Sequence, residues 1–444
     1  MDAAIHRPEN LPADGVSASE EIPELEFLRP VVESGRWGID STGGLPLERN
    51  VTVVPRVAEA LGVEQARAAA EFAYFQGLDH AVPVANGTRA LVIALMAASV
   101  LAEETGKRAL RPGRRALVSG LTWQATAMAP LDRRLVPVLL DVDPATGVVA
   151  PETVHAALRD DRDGEIAAVV IPHLYCRMAD IPRIAEICDE YGVVSIEDCA
   201  HAHGGAIDGR PAGGVADFGT WSFQGSKSIT AGEGGMVTTR HAGIVDQIVS
   251  ITTCGRAVGR SRPFQAGNDR LGALQAAVLR ARMRRFYREE LPVKPGVLAD
   301  LEARISGMDG VTALAPQLRV GTQITYKAVA RFEPEAFGAD TVEDLADALH
   351  ALLGVEVATL YDPLDDSDLY RPDSDPANHW SDAFTAAADP ARYPLPGAHE
   401  LRRTALGFEH AALRDPAFPD RFAQAVARLR AAGPVPSRPS EVTG

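Results

Sequence analysis

The stretch WSFQGSKSITAGEGG, residues 221–235, sets Lys227 between a serine and a glycine-rich turn, just after a short apolar strand. A lysine on a solvated face needs no such setting. A lysine that reacts as a free amine does, because desolvation or nearby cations lower its pKa toward neutrality. Other residues carry chemistry that would match it. ANGT (85–88) passes from an apolar run into a helix opening at Gly87, so the N–H groups of Gly87 and Thr88 can hold an anion such as phosphate. TWQAT (122–126) puts Trp123 at the start of the next helix, IED (196–198) ends the most apolar run on Glu197 and Asp198, and Ser222 closes a further strand. Singly, these read as a helix start, a core aromatic, a capping acid and a surface lysine. Together they supply what pyridoxal phosphate requires: an amine for its aldehyde, an acid for its ring nitrogen, an aromatic face and a phosphate cradle.

The elements that must position these residues are legible between about residues 80 and 240. HAVPVA (80–85), RALVSGL (115–121), VPVLLDV (136–142), IAAVVIPHL (166–174) and GVVSIED (192–198) are continuous apolar runs separated by helical patterns. Between the last two, DIPRIAEICDEYG carries an Asp180 cap, Pro182 in the first turn, one apolar face and a Gly192 stop. Strands buried on both faces and alternating with helices predict an α/β fold with a mostly parallel sheet. In such sheets ligands sit beyond the carboxyl ends of the strands, where the polar residues above fall. A helical stretch over 271–291 leads to a second region in which QITYKAVARFEP and VEVATLY flank TVEDLADALHALLG. The expected organisation is a disordered segment at 1–25, a large cofactor-binding domain at 26–291, a smaller α+β domain at 292–432 and a disordered tail at 433–444.

The chain has 444 residues, 46% of them hydrophobic and 23% charged, which is ordinary globular composition with ample material for a large core. A formal net charge of -16 argues against nucleic acid or anionic lipid as a partner. No apolar run reaches the roughly 20 residues of a membrane span, and the first residues lack a basic and then apolar leader. Four cysteines without a C-x-x-C pair fit a reduced, cytoplasmic protein.

NGTRAL, LTWQATA, DVDPATG, IEDCAHAHGG, WSFQGSKSITAGEGG and GNDRLGALQAAVL occur in this order, and the set resembles the DegT/StrS-type aminotransferases. These are fold type I enzymes that aminate sugars and cyclitols with pyridoxal phosphate. The resemblance covers residues 30–290 well and the remainder loosely. It implies that Lys227 carries the cofactor covalently, Asp198 pairs with its pyridinium nitrogen, and Trp123 stacks on its ring. It further implies that Gly87, Thr88 and Ser222 hold the phosphate, and that His201 stands beside the ring hydroxyl. Asn268 would reach the phosphate of the other subunit, so a homodimer with shared sites is implied. SGRWGID (34–40) resembles the family's substrate-side segment around Trp37. His201 replaces the family's usual glutamine, and VSGL lacks its usual proline. With TTCGRAVGR (252–260), these departures resemble the branch of 3-amino-5-hydroxybenzoate synthase and the glutamine-using inosose aminotransferases.

The expected reaction moves an amino group from glutamine or glutamate to a keto cyclitol or free keto sugar in natural-product (antibiotic) biosynthesis. Among Arg256, Arg260 and Arg262, Arg256 is the candidate for the donor's α-carboxylate, because a planar guanidinium matches that group. A nucleotide-linked keto sugar would need further cations for its pyrophosphate. Two rivals stand beside this reading. His173, Cys176, Cys199, His201 and His203 could form a zinc site, although the spacing is irregular and Asp198 would go unused. An accessory or regulatory subunit could bind the cofactor without turnover. The reading adopted has no metal.

Overall fold

A computed structural model describes residues 54–436. Trp37, the segment 1–25 and residues 437–444 of the tail lie outside the described residues.

The apolar runs form β1 (His80–Val84), β2 (Arg115–Ser119), β3 (Val136–Leu140), β4 (Ile166–Pro172) and β5 (Val194–Asp198). A short hairpin of β6 (Ala206–Ile207) and β7 (Arg210–Pro211) follows, then β8 (Phe218–Ser222) and β9 (Gly235–Thr239). Seven of these strands make one sheet in the order β1-β9-β8-β5-β4-β2-β3. β3, β2, β4, β5 and β8 pair parallel. β9 runs antiparallel to both β8 and β1. The mostly parallel sheet therefore stands, with one reversed strand. The reason is the connection: residues 223–234 join β8 to β9 without a crossover helix, so the chain can only turn back beside itself. That return loop carries Lys227 and lies at the carboxyl end of β8.

The helix Gly87–Thr105 begins where Asn86 accepts a hydrogen bond from the Arg89 N–H at 2.9 Å, which fixes the turn that follows β1. Its residues from Ala90 to Ala98 are buried without interruption, so it is wholly interior rather than amphipathic. The helix Ile181–Glu190 has the predicted Asp180 cap, and Gly192 leaves it at φ 65°. The stretch at 271–291 is less regular than its pattern suggests. An α-helix over Ala273–Arg285 passes into a π-turn over Phe286–Glu290.

The second region contributes β10 (Val311–Ala313), β11 (Val320–Thr322), β12 (Lys327–Phe332), β13 (Val357–Thr359) and β14 (Ala405–Glu409). Four of them form an antiparallel sheet, β10-β12-β14-β13. The helix Val342–Leu353 carries a full capping box between Thr341 and Asp344. β11 instead pairs with β6. Buried Arg177 adds a second tie, bonding to the Leu314 carbonyl at 2.8 Å and to Glu302 at 2.8 Å. Together these contacts bring β12 and β13 over the carboxyl ends of the large sheet.

Candidate active site

Strand ends and helix starts from both sheets converge on a cavity of 820 Å³. Gly87, Thr88, Trp123, Asp198, His201, Ser222 and Lys227 all line it, although they span some 140 residues of chain. Facing them are Tyr326 and Lys327 at the start of β12, and Glu356, Thr359 and Tyr361 around β13.

Asp198 ends β5 as a buried acid that accepts hydrogen bonds from Thr126 Oγ1 at 2.8 Å and from the Ala200 N–H at 3.2 Å. Burial raises its pKa, so its charge is costly until a cation stands beside it. Lys227 is also buried, with its Nζ 4.5 Å from the centre of the Tyr326 ring. Desolvation lowers its pKa, which favours the neutral amine and answers why the chain hides a lysine there. The other face of this cluster is aromatic. Tyr326 stacks on His201 at 3.8 Å and 22°. His201 Nδ1 accepts the Tyr175 N–H at 3.1 Å, which leaves the ring proton on Nε2, 3.4 Å from Tyr361 Oη. Burial holds that imidazole neutral, with a pKa well below the ordinary histidine value.

These residues fit the expected cofactor. A side chain at Gly87 would place Cβ 2.6 Å from Ser222 Cβ, so only glycine lets the helix start and the serine close into one cradle. Trp123 is 47% exposed in an otherwise buried setting, which leaves an aromatic face open to the cavity. Among the described residues no cation pairs with Asp198, and a protonated ring nitrogen is such a group.

Of the residues in the zinc reading, His173 and Cys199 come together with Glu197, with their donor atoms within 4.8 Å of one another. The Glu197 oxygens already accept the Gly213, Val215 and Ala216 N–H groups at 2.8–2.9 Å, and Oε2 lies 3.2 Å from His173 Nε2. Burial alone would raise its pKa; His173 and these amides hold it below the ordinary value. Glu197 is thus an internal anchor between β5 and the loop before β8. Cys176 lies against Arg177, and His203 is enclosed by Trp221, Phe223 and Phe286.

Two candidates stand elsewhere. Arg256 and Asn268 are exposed and do not line the cavity of their own chain. Asn268 bridges to Thr253, and the next residue, Asp269, binds Arg89 of the cavity wall at 2.9 and 3.0 Å. Sequence reasoning missed Thr126, Tyr175, Tyr326, Lys327, Glu356 and Tyr361. Only the threonine had a signal, since it shares the helix start with Trp123.

The description of the DegT/DnrJ/EryC1/StrS aminotransferase family matches residues 54–397. The chain is 32% identical to an L-glutamine:2-deoxy-scyllo-inosose aminotransferase of Streptoalloteichus tenebrarius, over 88% of this chain and 87% of that one. It is 32% identical to an L-glutamine:scyllo-inosose aminotransferase of Streptomyces griseus, over 88% of both. Among solved structures, 3-amino-5-hydroxybenzoic acid synthase superposes with a TM-score of 0.71 at 26% identity, covering 93% of this chain and 98% of that one. A match of this extent, on a fold whose strand ends gather a buried lysine and a buried aspartate, has one reading: the chain belongs to the DegT/DnrJ/EryC1/StrS aminotransferase family and is an aminotransferase.

Proposed function

We propose that the protein uses pyridoxal phosphate to move the amino group of L-glutamine, or of glutamate, to the ketone of a free cyclitol of the inosose class, in a cytoplasmic natural-product (antibiotic) pathway. The observation that carries this reading is the pairing, in one cavity, of a desolvated lysine with a buried aspartate that has no cation partner among the described residues. When bound, the cofactor supplies an electron sink that lets an amino group be exchanged for a carbonyl oxygen. Asp198 would hold the ring nitrogen, Trp123 the ring face, and Gly87, Thr88 and Ser222 the phosphate. His201, neutral and with its proton on Nε2, offers a donor beside the ring. Lys227 Nζ, as a free amine, removes the proton from Cα of the donor; as an ammonium it returns a proton to the former ketone carbon of the acceptor.

The charge of the cavity supports an unactivated acceptor. Besides Lys227, its lining cations are Arg89 and Lys327. Arg89 is held by Asp269 at 2.9 Å, and Lys327 is met by Glu356 at 3.2 Å. Among the described residues of one chain this leaves at most Lys327, a single loosely paired cation and too little for a pyrophosphate, whereas hydroxyls of a polyol find partners on Glu356, Thr359 and Tyr361. The names of the relatives, which specify L-glutamine and inososes, support the same choice. Asn268 and Arg256 are exposed outside their own cavity, as a homodimer with shared sites would require.

Borohydride reduction followed by peptide mapping tests the assignment: the cofactor should be found on Lys227, and label on another lysine would sink it. Free cyclitol ketones should be aminated well and nucleotide-linked keto sugars poorly; the reverse order would refute the acceptor class. Mixing Lys227→Ala and Asn268→Ala chains should restore part of the activity, because some hybrid dimers regain an intact site. No recovery despite proven subunit exchange would rule out sharing.

A further inference from the structure

We propose that Lys327 anchors the α-carboxylate of the amino donor, and that Glu356 occupies Lys327 when the same cavity takes its uncharged acceptor. This rests on the transamination reading above and adds the device that lets one cavity serve two unlike substrates. An amino-acid donor brings a carboxylate, and a cyclitol ketone brings none. A cation fixed in one pairing cannot serve the first, and a cation with no partner is left unmet by the second.

Lys327 has the placement for this exchange. It opens β12 next to Tyr326, whose ring lies 4.5 Å from Lys227 Nζ. Its stem crosses Gly407 on β14, where an added Cβ would lie 3.5 Å from Lys327 Cδ, and its side chain is 19% exposed. Its partner is loosely held. The Glu356 side chain is 60% exposed and meets Lys327 through one contact at 3.2 Å. A pair exposed on one side contributes little net free energy, so an incoming carboxylate displaces Glu356 at small cost. Arg89 differs, since Asp269 grips it through two bonds at 2.9 and 3.0 Å. Arg256 differs again: it is exposed outside the cavity of its own chain and would reach only a partner's site, so variants of Lys327 and of Arg256 must separate the two. Lys327 is therefore the lining cation both near the reacting amine and replaceably paired.

The test compares L-glutamine with its α-carboxamide as donors, reading kcat/KM for each with a cyclitol ketone as acceptor. Wild-type protein should prefer glutamine by about tenfold to hundredfold, the range of one charge-assisted contact. Lys327→Met should compress that preference to within about threefold, and Lys327→Arg should keep most of it. Glu356→Gln should lower the KM for glutamine, since it frees the lysine. Circular-dichroism melts verify folding; if Lys327→Met does not fold, the Arg and Glu356→Gln variants decide. Full discrimination retained by Lys327→Met, or its loss on Arg256→Ala instead, would overturn this proposal alone. Wild-type protein that uses neither of these donors nor glutamate would overturn both this and the transamination reading.

Discussion

The two walls of the cavity are built differently. The wall from the large sheet consists of strand ends and helix starts, and the two carboxylates that close β5 are buried and multiply held. Asp198 has two hydrogen-bond donors, and Glu197 behind it has three backbone amides and a histidine. The wall from the second sheet is looser. Its charged members, Lys327 and Glu356, meet each other once at the edge of solvent. The contrast teaches a division of labour. Chemistry common to every turnover sits where rigid elements fix it, and recognition of changing substrates sits where a pairing can open.

The largest effect should come from breaking the rigid wall at its reacting atom. Lys227→Ala should lower turnover by about a thousandfold or more, because the other lining amine, Lys327, is an ammonium paired with Glu356 and does not stand in as base. Tyr361→Phe, on the opposite wall, should cost less than about tenfold, since its hydroxyl meets His201 only at 3.4 Å. Steady-state kinetics of both variants with one donor and acceptor check this. Comparable losses would erase the division.

Each wall also has a histidine that burial keeps neutral, and these set an acid limit. His203 lies behind the cofactor side, and His410 lies beneath Tyr326, 6.4 Å between ring centres. Burial pushes both pKa values down to about 3 from 6.5. Above pH 6.5 both rings are neutral in folded and unfolded chains, and nothing is lost. Below it the unfolded chain takes up protons that the folded chain refuses, so stability falls, by about 1.4 kcal/mol per pH unit per histidine, until about pH 3. The two together should remove about 4 kcal/mol by about pH 5, and His201, held neutral by the same cause, adds to the loss in the same direction. Urea unfolding between about pH 7 and about pH 5 reads this, and a flat profile would show that one or both rings find a proton in the folded state.

Glu197→Gln sharpens the comparison from the structural side. The amide nitrogen would face backbone donors that now meet a carboxylate oxygen, and the fold should lose about 2–3 kcal/mol in urea unfolding. Glu356→Gln, exposed and singly paired, should change stability by less than about 0.5 kcal/mol.

This asymmetry also explains what the sequence disclosed. Gly87, Trp123, Asp198 and Ser222 were legible because each falls at the end of a strand or near the start of a helix, and Lys227 because it sits in the glycine-rich turn just after one. Tyr326 and Lys327 sit in ITYK, and Glu356 and Tyr361 in VEVATLY, which read as ordinary strands. Their role depends on how one sheet docks over another, through contacts such as Arg177 to Leu314 that join residues over a hundred positions apart. The reversal of β9 was hidden for a related reason. No strand is assigned to GMVTT from its sequence, and its apolar residues would in any case carry no direction, which the return loop decides. The π-turn at Phe286–Glu290 has no local signal either, and helical periodicity alone predicts that the α-helix continues.

A last test asks how much one contact between the walls contributes. Trp123 from the first and Tyr361 from the second lie 5.7 Å apart at 56°, one aromatic contact across the boundary. Such pairs contribute about 0.5–1.5 kcal/mol beyond the area they bury. Trp123 also offers its open face to the cofactor, so Trp123→Leu should weaken cofactor binding, while Tyr361→Leu should weaken it less, through its contacts with Trp123 and His201. The double-mutant cycle on the cofactor dissociation constant isolates the shared part, which should be about 1 kcal/mol. A coupling indistinguishable from zero would mean that Trp123 is positioned by its own helix alone. The walls would then be tied through the Tyr326–His201 stack and the Arg177 contacts rather than through Trp123.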